Sequence, residues 1–254
     1  LTSLKWAQSL ATGVDHFVKC PYFSSGTLLT SARGIHGPSM RETAAFLMLS
    51  LSRDALRLGA NKAAKRWDRW TPWTTLNGKT ATVVGIGVGG IAIGNLLKAF
   101  GMHVIGLTRS PRQLEAFDEV AHTDRLMEIA KRTDWLIDIL PGDAANDRLI
   151  GRDVFNAMRP GSYFINVGRG STIDESALID ALKSGKLAGA GLDVFAVSPL
   201  PEDNPLWSMP NVFICPQTGG FTSDYEDMVW PIVEGNMALF LAGREREMRN
   251  LIPH

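Results

Sequence analysis

Gly85-Ile86-Gly87-Val88-Gly89-Gly90 spaces its glycines as G-x-G-x-x-G, between a β-branched run and a helical pattern. At such a turn the first glycine permits the tight bend and the second lets the backbone approach a pyrophosphate. The third lets strand and helix pack closely, and the helix N-terminus offers partial positive charge to phosphates. Gly85, Gly87, Val88, Gly89, Gly90 and Ile91 are therefore candidate dinucleotide-binding residues. The next apolar run ends in Thr108-Arg109-Ser110-Pro111-Arg112. A carboxylate there would suit the ribose hydroxyl of NAD(H), and none is present. Arg109 can hold a 2′-phosphate through a bidentate charge-assisted contact, with Thr108 and Ser110 hydroxyls beside it. This favours NADP(H), with NAD(H) as the alternative; the structural reading of the same segment is two solvated arginines in a loop.

Three further segments follow strand-like runs. They are Asn166-Val167-Gly168-Arg169-Gly170, Asp193 to Pro201, and Pro216-Gln217-Thr218-Gly219-Gly220. An arginine between glycines at a strand end can clamp a carboxylate and polarise the carbonyl beside it. Alternatively Arg169 pairs structurally with Asp193 or Glu175. No histidine has a partner at metal-ligand spacing, so no metal site is expected, and there is no Ser or Cys nucleophile elbow.

These residues need a scaffold. Apolar runs predict strands at Thr80–Ile86, His103–Leu107, Trp135–Leu140, Ser162–Val167, Ala188–Phe195 and Asn211–Cys215. Helices are expected at Gly90–Phe100 and Asp174–Ser184; in the latter Asp174 is the cap, Ala177, Leu178, Ala181 and Leu182 form the stripe, and Gly185 is the stop. Such alternation specifies an α/β fold, a doubly wound parallel sheet of Rossmann type. Its active groups sit beyond the C-terminal strand ends. Outside this region, Leu4–Leu10 and Leu28–Thr30 read as short strands around a loop at Ala11–Asp15. Met40–Ala64 reads as one long helix with Ala44, Leu47, Leu51, Ala55 and Leu58 on a face. Asp224–Ala242 reads as a last helix returning to the N-terminal piece. Trp67, Trp70 and Trp73 suit either a homodimer surface or the cap of an internal cleft.

Composition excludes several classes. Over 254 residues, 26 basic side chains balance 26 acidic ones, which argues against nucleic-acid binding through a global basic field. A hydrophobic share of 45% and a charged share of 20% belong to a folded chain rather than a disordered one. Cys20 and Cys215 are too few for a disulfide framework, so a reducing, cytoplasmic setting is expected. No apolar stretch approaches about 18 residues, so no membrane span is expected. The opening Leu1-Thr2-Ser3-Leu4-Lys5 is neither an initiator Met nor a leader, which leads to the expectation of a longer parent chain.

Taken in order, Leu10-Ala11-Thr12-Gly13-Val14-Asp15-His16, GKTATVVGIGVGG (Gly78–Gly90), Ile139-Leu140-Pro141, INVGRG (Ile165–Gly170), GAGLDVF (Gly189–Phe195) and Arg249-Asn250-Leu251-Ile252-Pro253 carry a resemblance over nearly the whole chain. The chain resembles the D-isomer-specific 2-hydroxyacid dehydrogenase family, especially its glyoxylate/hydroxypyruvate reductase-like branch. The resemblance implies a nucleotide domain at 35–222 inserted into a flavodoxin-like substrate domain formed by 1–34 and 223–254, with that domain's N-terminal portion missing, and a homodimer. It implies that the Thr12 and Gly13 backbone binds the substrate carboxylate and that Arg169 binds carboxylate and keto oxygen. It also implies that the nicotinamide lies near Asp193 and the turn of Val167, Gly168 and Arg169, and that Leu140 and Pro141 are cofactor-binding residues. Hydride then passes between NADP(H) and a small 2-oxo or 2-hydroxy acid.

Three positions depart from the family pattern. Its proton-donating His is Gln217 here, the Glu that orients that His is Ser198, and the usual Asn is Ser31. An amide does not titrate near pH 7, and loss of a general acid costs about 10²–10⁴ in rate. A carboxylate without its His would be a stranded charge, so the paired change reads as an adapted site. Substitute proton sources are His16, Asp224, Tyr225, water relayed by Gln217, and, more weakly, His36. His103, His122 and His254 receive no role. The leading expectation is a 2-oxo-acid reductase. Its rivals are a dinucleotide-sensing or partner-binding protein without turnover, and an oxidation of the formate type that needs no proton acceptor.

Overall fold

The computed structural model describes residues 3–14, 17, 26–70 and 73–252. The chain divides into two compact units, Gly37–Gly219, and Leu1–His36 with Gly220–His254.

The larger unit begins with α1 (Gly37–Ser52) and α2 (Ala55–Ala63). It continues with β3 (Thr80–Val84), α3 (Val88–Ala99), β4 (His103–Thr108), β5 (Glu119–His122) and α4 (Leu126–Ala130). Then come β6 (Trp135–Asp138), α5 (Arg152–Ala157), β7 (Ser162–Asn166), α6 (Glu175–Lys183), β8 (Leu187–Leu192) and β9 (Val212–Ile214). The seven strands form one parallel sheet in the order β5-β4-β3-β6-β7-β8-β9. Chain order runs outward in one direction from β3 and in the other from β6, so the switch point lies between these two strands.

Period-two alternation divides the core between the sheet's faces. Val84, Ile105, Leu136 and Phe164 pack with Ile129, Phe155 and Leu178 from α4, α5 and α6. Their chain neighbours Val83, Val104, Ile137 and Ile165 pack with Leu47, Met48, Ile93 and Leu97 from α1 and α3. Strands buried on both faces read as continuous apolar runs for this reason. The helix expected at 174–184 forms as α6, its cap Asp174 accepting from Ala177 N at 3.1 Å, and Gly185 follows it at φ 72°.

Three expectations need correction. The helix expected over 40–64 is two helices, broken at Arg53 and Asp54. Asp54 adopts φ 51° and its carboxylate caps α2 at Arg57 N, so Leu58 is exposed rather than part of a continuous stripe. No strand is expected at 119–122, yet Glu119–His122 forms the edge strand β5, paired with β4. Strands expected to reach Ile86, Leu140, Val167, Phe195 and Cys215 end earlier, at Val84, Asp138, Asn166, Leu192 and Ile214.

In the smaller unit, β1 (Trp6–Gln8) and β2 (Leu28–Thr30) pair in parallel. Leu251 bridges antiparallel to Thr30, and Ile252 N donates to Leu29 O at 2.8 Å. Helix α7 (Tyr225–Leu241) packs back on β1 as its apolar pattern implies: Phe240 meets Trp6 at 5.3 Å between ring centres, and Asn236 Nδ2 donates to Gln8 Oε1 at 2.9 Å. Among the described residues, no helix is long and apolar enough to cross a membrane.

Candidate active site

The crevice at the switch point is shaped by backbone that no side chain could share. Gly85 adopts φ 104°, and a Cβ there would stand 2.9 Å from Ile139 O. A Cβ at Gly90 would lie 2.0 Å from Gly85 O, which lets α3 begin directly against the β3 turn. Gly87 differs, because a Cβ there would meet nothing within 4 Å. It is the N-cap of α3, and no side chain caps that helix. Uncapped amides facing open space at a helix N-terminus fit a pyrophosphate. Val88 and Ile91 lie in the first turn, and Ile91 N donates to Gly87 O at 2.9 Å.

Thr108 ends β4, with its hydroxyl accepting from Ser110 N at 3.3 Å. Arg109 is exposed and reaches Asp143 Oδ2 at 3.0 Å. Ala145 N and then Arg109 hold the Asp143 carboxyl below the usual carboxylate range. An exposed pair of this kind is worth little. Leu140 N donates to Asp138 Oδ1 at 2.9 Å, and Pro141 O accepts from Asn146 Nδ2 at 3.1 Å, which fixes the loop beyond β6.

The turn after β7 is built on Asn166, whose Oδ1 accepts from Gly168 N at 3.0 Å and whose Nδ2 donates to Arg169 O at 3.2 Å. Val167 is buried, and its N donates to Asp138 O at 3.0 Å. The glycines around Arg169 answer to close packing: a Cβ at Gly168 would lie 2.7 Å from Leu140 N and O, and one at Gly170 would lie 1.8 Å from Phe195 O. Arg169 itself is half-buried and donates from Nη1 to Gly168 O at 2.8 Å. Glu175 accepts from Ala196 N and Asn204 Nδ2, both at 3.0 Å.

Asp193, buried just past β8, accepts at Oδ1 from Thr218 N at 2.9 Å and Gly219 N at 3.0 Å. Burial raises its pKa against those two hydrogen bonds. The Asp193 carbonyl also takes Gln217 N at 2.9 Å. The loop after β9 is thus pinned to the strand beside it, and Gln217 is held at φ 56° with its side chain exposed. The two departures from the family pattern meet: Ser198 Oγ donates to Gln217 Oε1 at 2.7 Å. With its oxygen so engaged, the Gln217 amide presents Nε2 as a donor.

In the smaller unit the Thr12 hydroxyl lies 2.6 Å from His36 Nδ1, and the Tyr225 hydroxyl lies 3.2 Å from His36 Nε2. Tyr225 also donates to Leu10 O, so imidazole and phenol brace the Leu10–Gly13 loop. The sequence reading treated His36 and Tyr225 separately and missed this chain. Ser31 is buried, with its N donating to Asn250 O at 3.2 Å. Asp224 is the N-cap of α7 without a side-chain cap bond. His16, Cys20 and His254 lie outside the described residues.

A parallel sheet with a glycine-lined switch point and an arginine at a neighbouring strand end defines a nicotinamide-dinucleotide oxidoreductase. The chain belongs to the D-isomer specific 2-hydroxyacid dehydrogenase family, whose NAD binding domain matches residues 45–219. It is 30% identical over 250 residues to glyoxylate/hydroxypyruvate reductase B of Pectobacterium carotovorum, covering 96% of this chain and 78% of that one. A family protein from Aeromonas salmonicida superposes with TM-score 0.90 at 34% identity, over 99% of this chain and 79% of that chain. The NADPH-dependent glyoxylate/hydroxypyruvate reductase of Sinorhizobium meliloti, solved with NADP and sulfate, gives TM-score 0.86 at 28% identity over 99% and 79%.

Proposed function

We propose that this protein reduces a small 2-oxo acid of the glyoxylate or hydroxypyruvate type to its 2-hydroxy acid, with NADPH preferred over NADH. The observation that carries the reading is Arg169, held by Asn166 and two packed glycines at the C-terminal end of β7. The uncapped backbone at Gly87 and the α3 N-terminus would hold NADPH, which would supply the hydride for the keto carbon. Arg169 neutralises the substrate carboxylate and polarises its carbonyl. Gln217 Nε2 donates a hydrogen bond to the oxygen that gains charge. The amide has no proton to release, so the product hydroxyl takes its proton from water positioned by Gln217. Arg109 supports the NADPH preference, since it needs only to exchange the exposed Asp143 carboxylate for a 2′-phosphate.

The test is oxidation of NADPH in the presence of glyoxylate, hydroxypyruvate and a bulkier 2-oxo acid. Turnover of one of them supports the reading, and tight NADPH binding without turnover across the panel rejects it. One observation favours a second reading, nucleotide binding without chemistry: Gln217 and Ser198 are bonded to each other where a titratable pair would serve catalysis. We also propose a homodimer through the segment beyond α2, where Trp67 and Trp70 are 91% and 83% exposed.

A further inference from the structure

Asp138 is the one carboxylate in the apolar run Trp135–Leu140, and it is wholly buried at the end of β6. Two contacts of the Thr172 hydroxyl determine its protonation. Thr172 Oγ1 lies 2.6 Å from Arg169 O and also within hydrogen-bond distance of Asp138 Oδ2. Oxygens this close need a proton between them, so the two contacts require two protons. The hydroxyl carries one and the Arg169 carbonyl none. The second must reside on Asp138 Oδ2, leaving Oδ1 to accept from Leu140 N at 2.9 Å, as a neutral carboxyl does.

We propose that Asp138 is a neutral acid that fixes the Arg169 turn through the Thr172 hydroxyl. Asp138 and Thr172 are then positioning residues for the substrate clamp, an inference that rests on the reading of Arg169 given above. The order is Asp138 to Thr172 to the Arg169 carbonyl, with every donor and acceptor satisfied. The same carboxyl holds Leu140, whose backbone presses on Gly168, so one side chain secures both the loop beyond β6 and the turn beyond β7. Ionisation would draw the Thr172 proton to the carboxylate and leave two oxygens facing each other beneath Arg169.

The surroundings favour the neutral form. Val84 of β3 and Asn166 of β7 stand opposite Asp138 in register, and neither ionises. The ionisable groups on neighbouring segments are Arg169, Asp193, Asp143 and Asp134, and none of them moves its protonation equilibrium. Burial alone pushes Asp138 up to about 7, against the bond from Leu140 N and the bond that the Thr172 hydroxyl would donate to an ionised carboxylate.

Infrared difference spectroscopy on the full chain without substrate tests the protonation, with Asp138→Asn as the reference. At about pH 6 a protonated-carboxyl stretch is expected in the wild type and absent from Asp138→Asn. Its absence from the wild type would overturn the proposal. The Asn amide reproduces the neutral pattern, donating to Thr172 and accepting from Leu140. Asp138→Asn and Thr172→Ser are therefore expected to keep kcat/KM within about threefold, whereas Thr172→Val lowers it about tenfold or more through KM, with NADPH affinity kept. Equal losses in Asp138→Asn and Thr172→Val would overturn the positioning role. Should no 2-oxo acid be turned over, the function reading fails by itself. Hydrogen exchange at residues 166–172 then tests the network, with faster exchange expected in Thr172→Val than in Asp138→Asn and equal exchange counting against it.

Discussion

Replacing Gln217 by His together with Ser198 by Glu is expected to raise the reductase rate, because it supplies the titratable acid that the site lacks. The geometry suits the exchange. The two side chains already meet at 2.7 Å, both are exposed, and the longer carboxylate therefore has room. Gln217 sits at φ 56°, a conformation in which His is among the better-tolerated side chains. A general acid contributes about 10²–10⁴ in rate, equivalent to about 2.7–5.4 kcal/mol of barrier. The carboxylate raises the imidazole above its ordinary value near 6.5, so the gain is present at low pH and lost as pH rises through the raised value. Gln217→His alone lacks the orienting carboxylate, and Ser198→Glu alone adds a charge without an acid, so the two effects are expected to be strongly non-additive. The assay is steady-state NADPH oxidation with the best 2-oxo acid, across pH, for all four proteins. A double variant no faster than wild type at any pH, with fold and NADPH affinity intact, would refute the assignment of Gln217 to the reacting oxygen.

Asp138→Asn should alter the pH dependence of stability. The folded-state pKa is raised from 3.8 to about 7, so the neutral carboxyl imposes no penalty below about pH 4. Between about pH 4 and 7 the wild type loses up to ~4 kcal/mol relative to the Asn variant; urea unfolding at several pH values that gave a constant difference would contradict this. Gly170→Ala would place a methyl 1.8 Å from Phe195 O and is expected to destabilise by about 3 kcal/mol or more, read as a fall in Tm. Arg109→Ser should weaken NADPH binding about 10–100-fold and leave NADH nearly unchanged, as measured by fluorescence titration. Trp67→Glu combined with Trp70→Glu should shift a sedimenting dimer to monomer without loss of fold.

The sheet was legible because its strands are buried on both faces and so are apolar throughout. The same property hid their ends. Gly85, Ile86, Ile139 and Leu140 look like strand continuation, yet they lie beyond the ends of β3 and β6, where Gly85 packs against Ile139 and Leu140. Edge strand β5 escaped notice because it pairs on one side only and carries Glu119 and His122 at its ends. The break between α1 and α2 had a readable signal, since Asp54 is a capping residue inside an otherwise periodic run. Glycines and Arg169 could be found by spacing alone. The Ser198–Gln217 bond joins residues 19 apart, and the His36–Tyr225 contact joins residues 189 apart, so only the folded chain brings either pair together. Asp138 did carry a signal, a lone carboxylate in an apolar strand, which is rarely left without a partner.

Arg169→Gln measured beside the wild type tests the central claim most directly, with NADPH dissociation constants and kcat/KM for glyoxylate and hydroxypyruvate determined on the same preparations. The expected result is NADPH affinity within about threefold and kcat/KM reduced about 10²-fold or more. Equal kcat/KM in the two proteins would contradict the assignment of the guanidinium to the substrate.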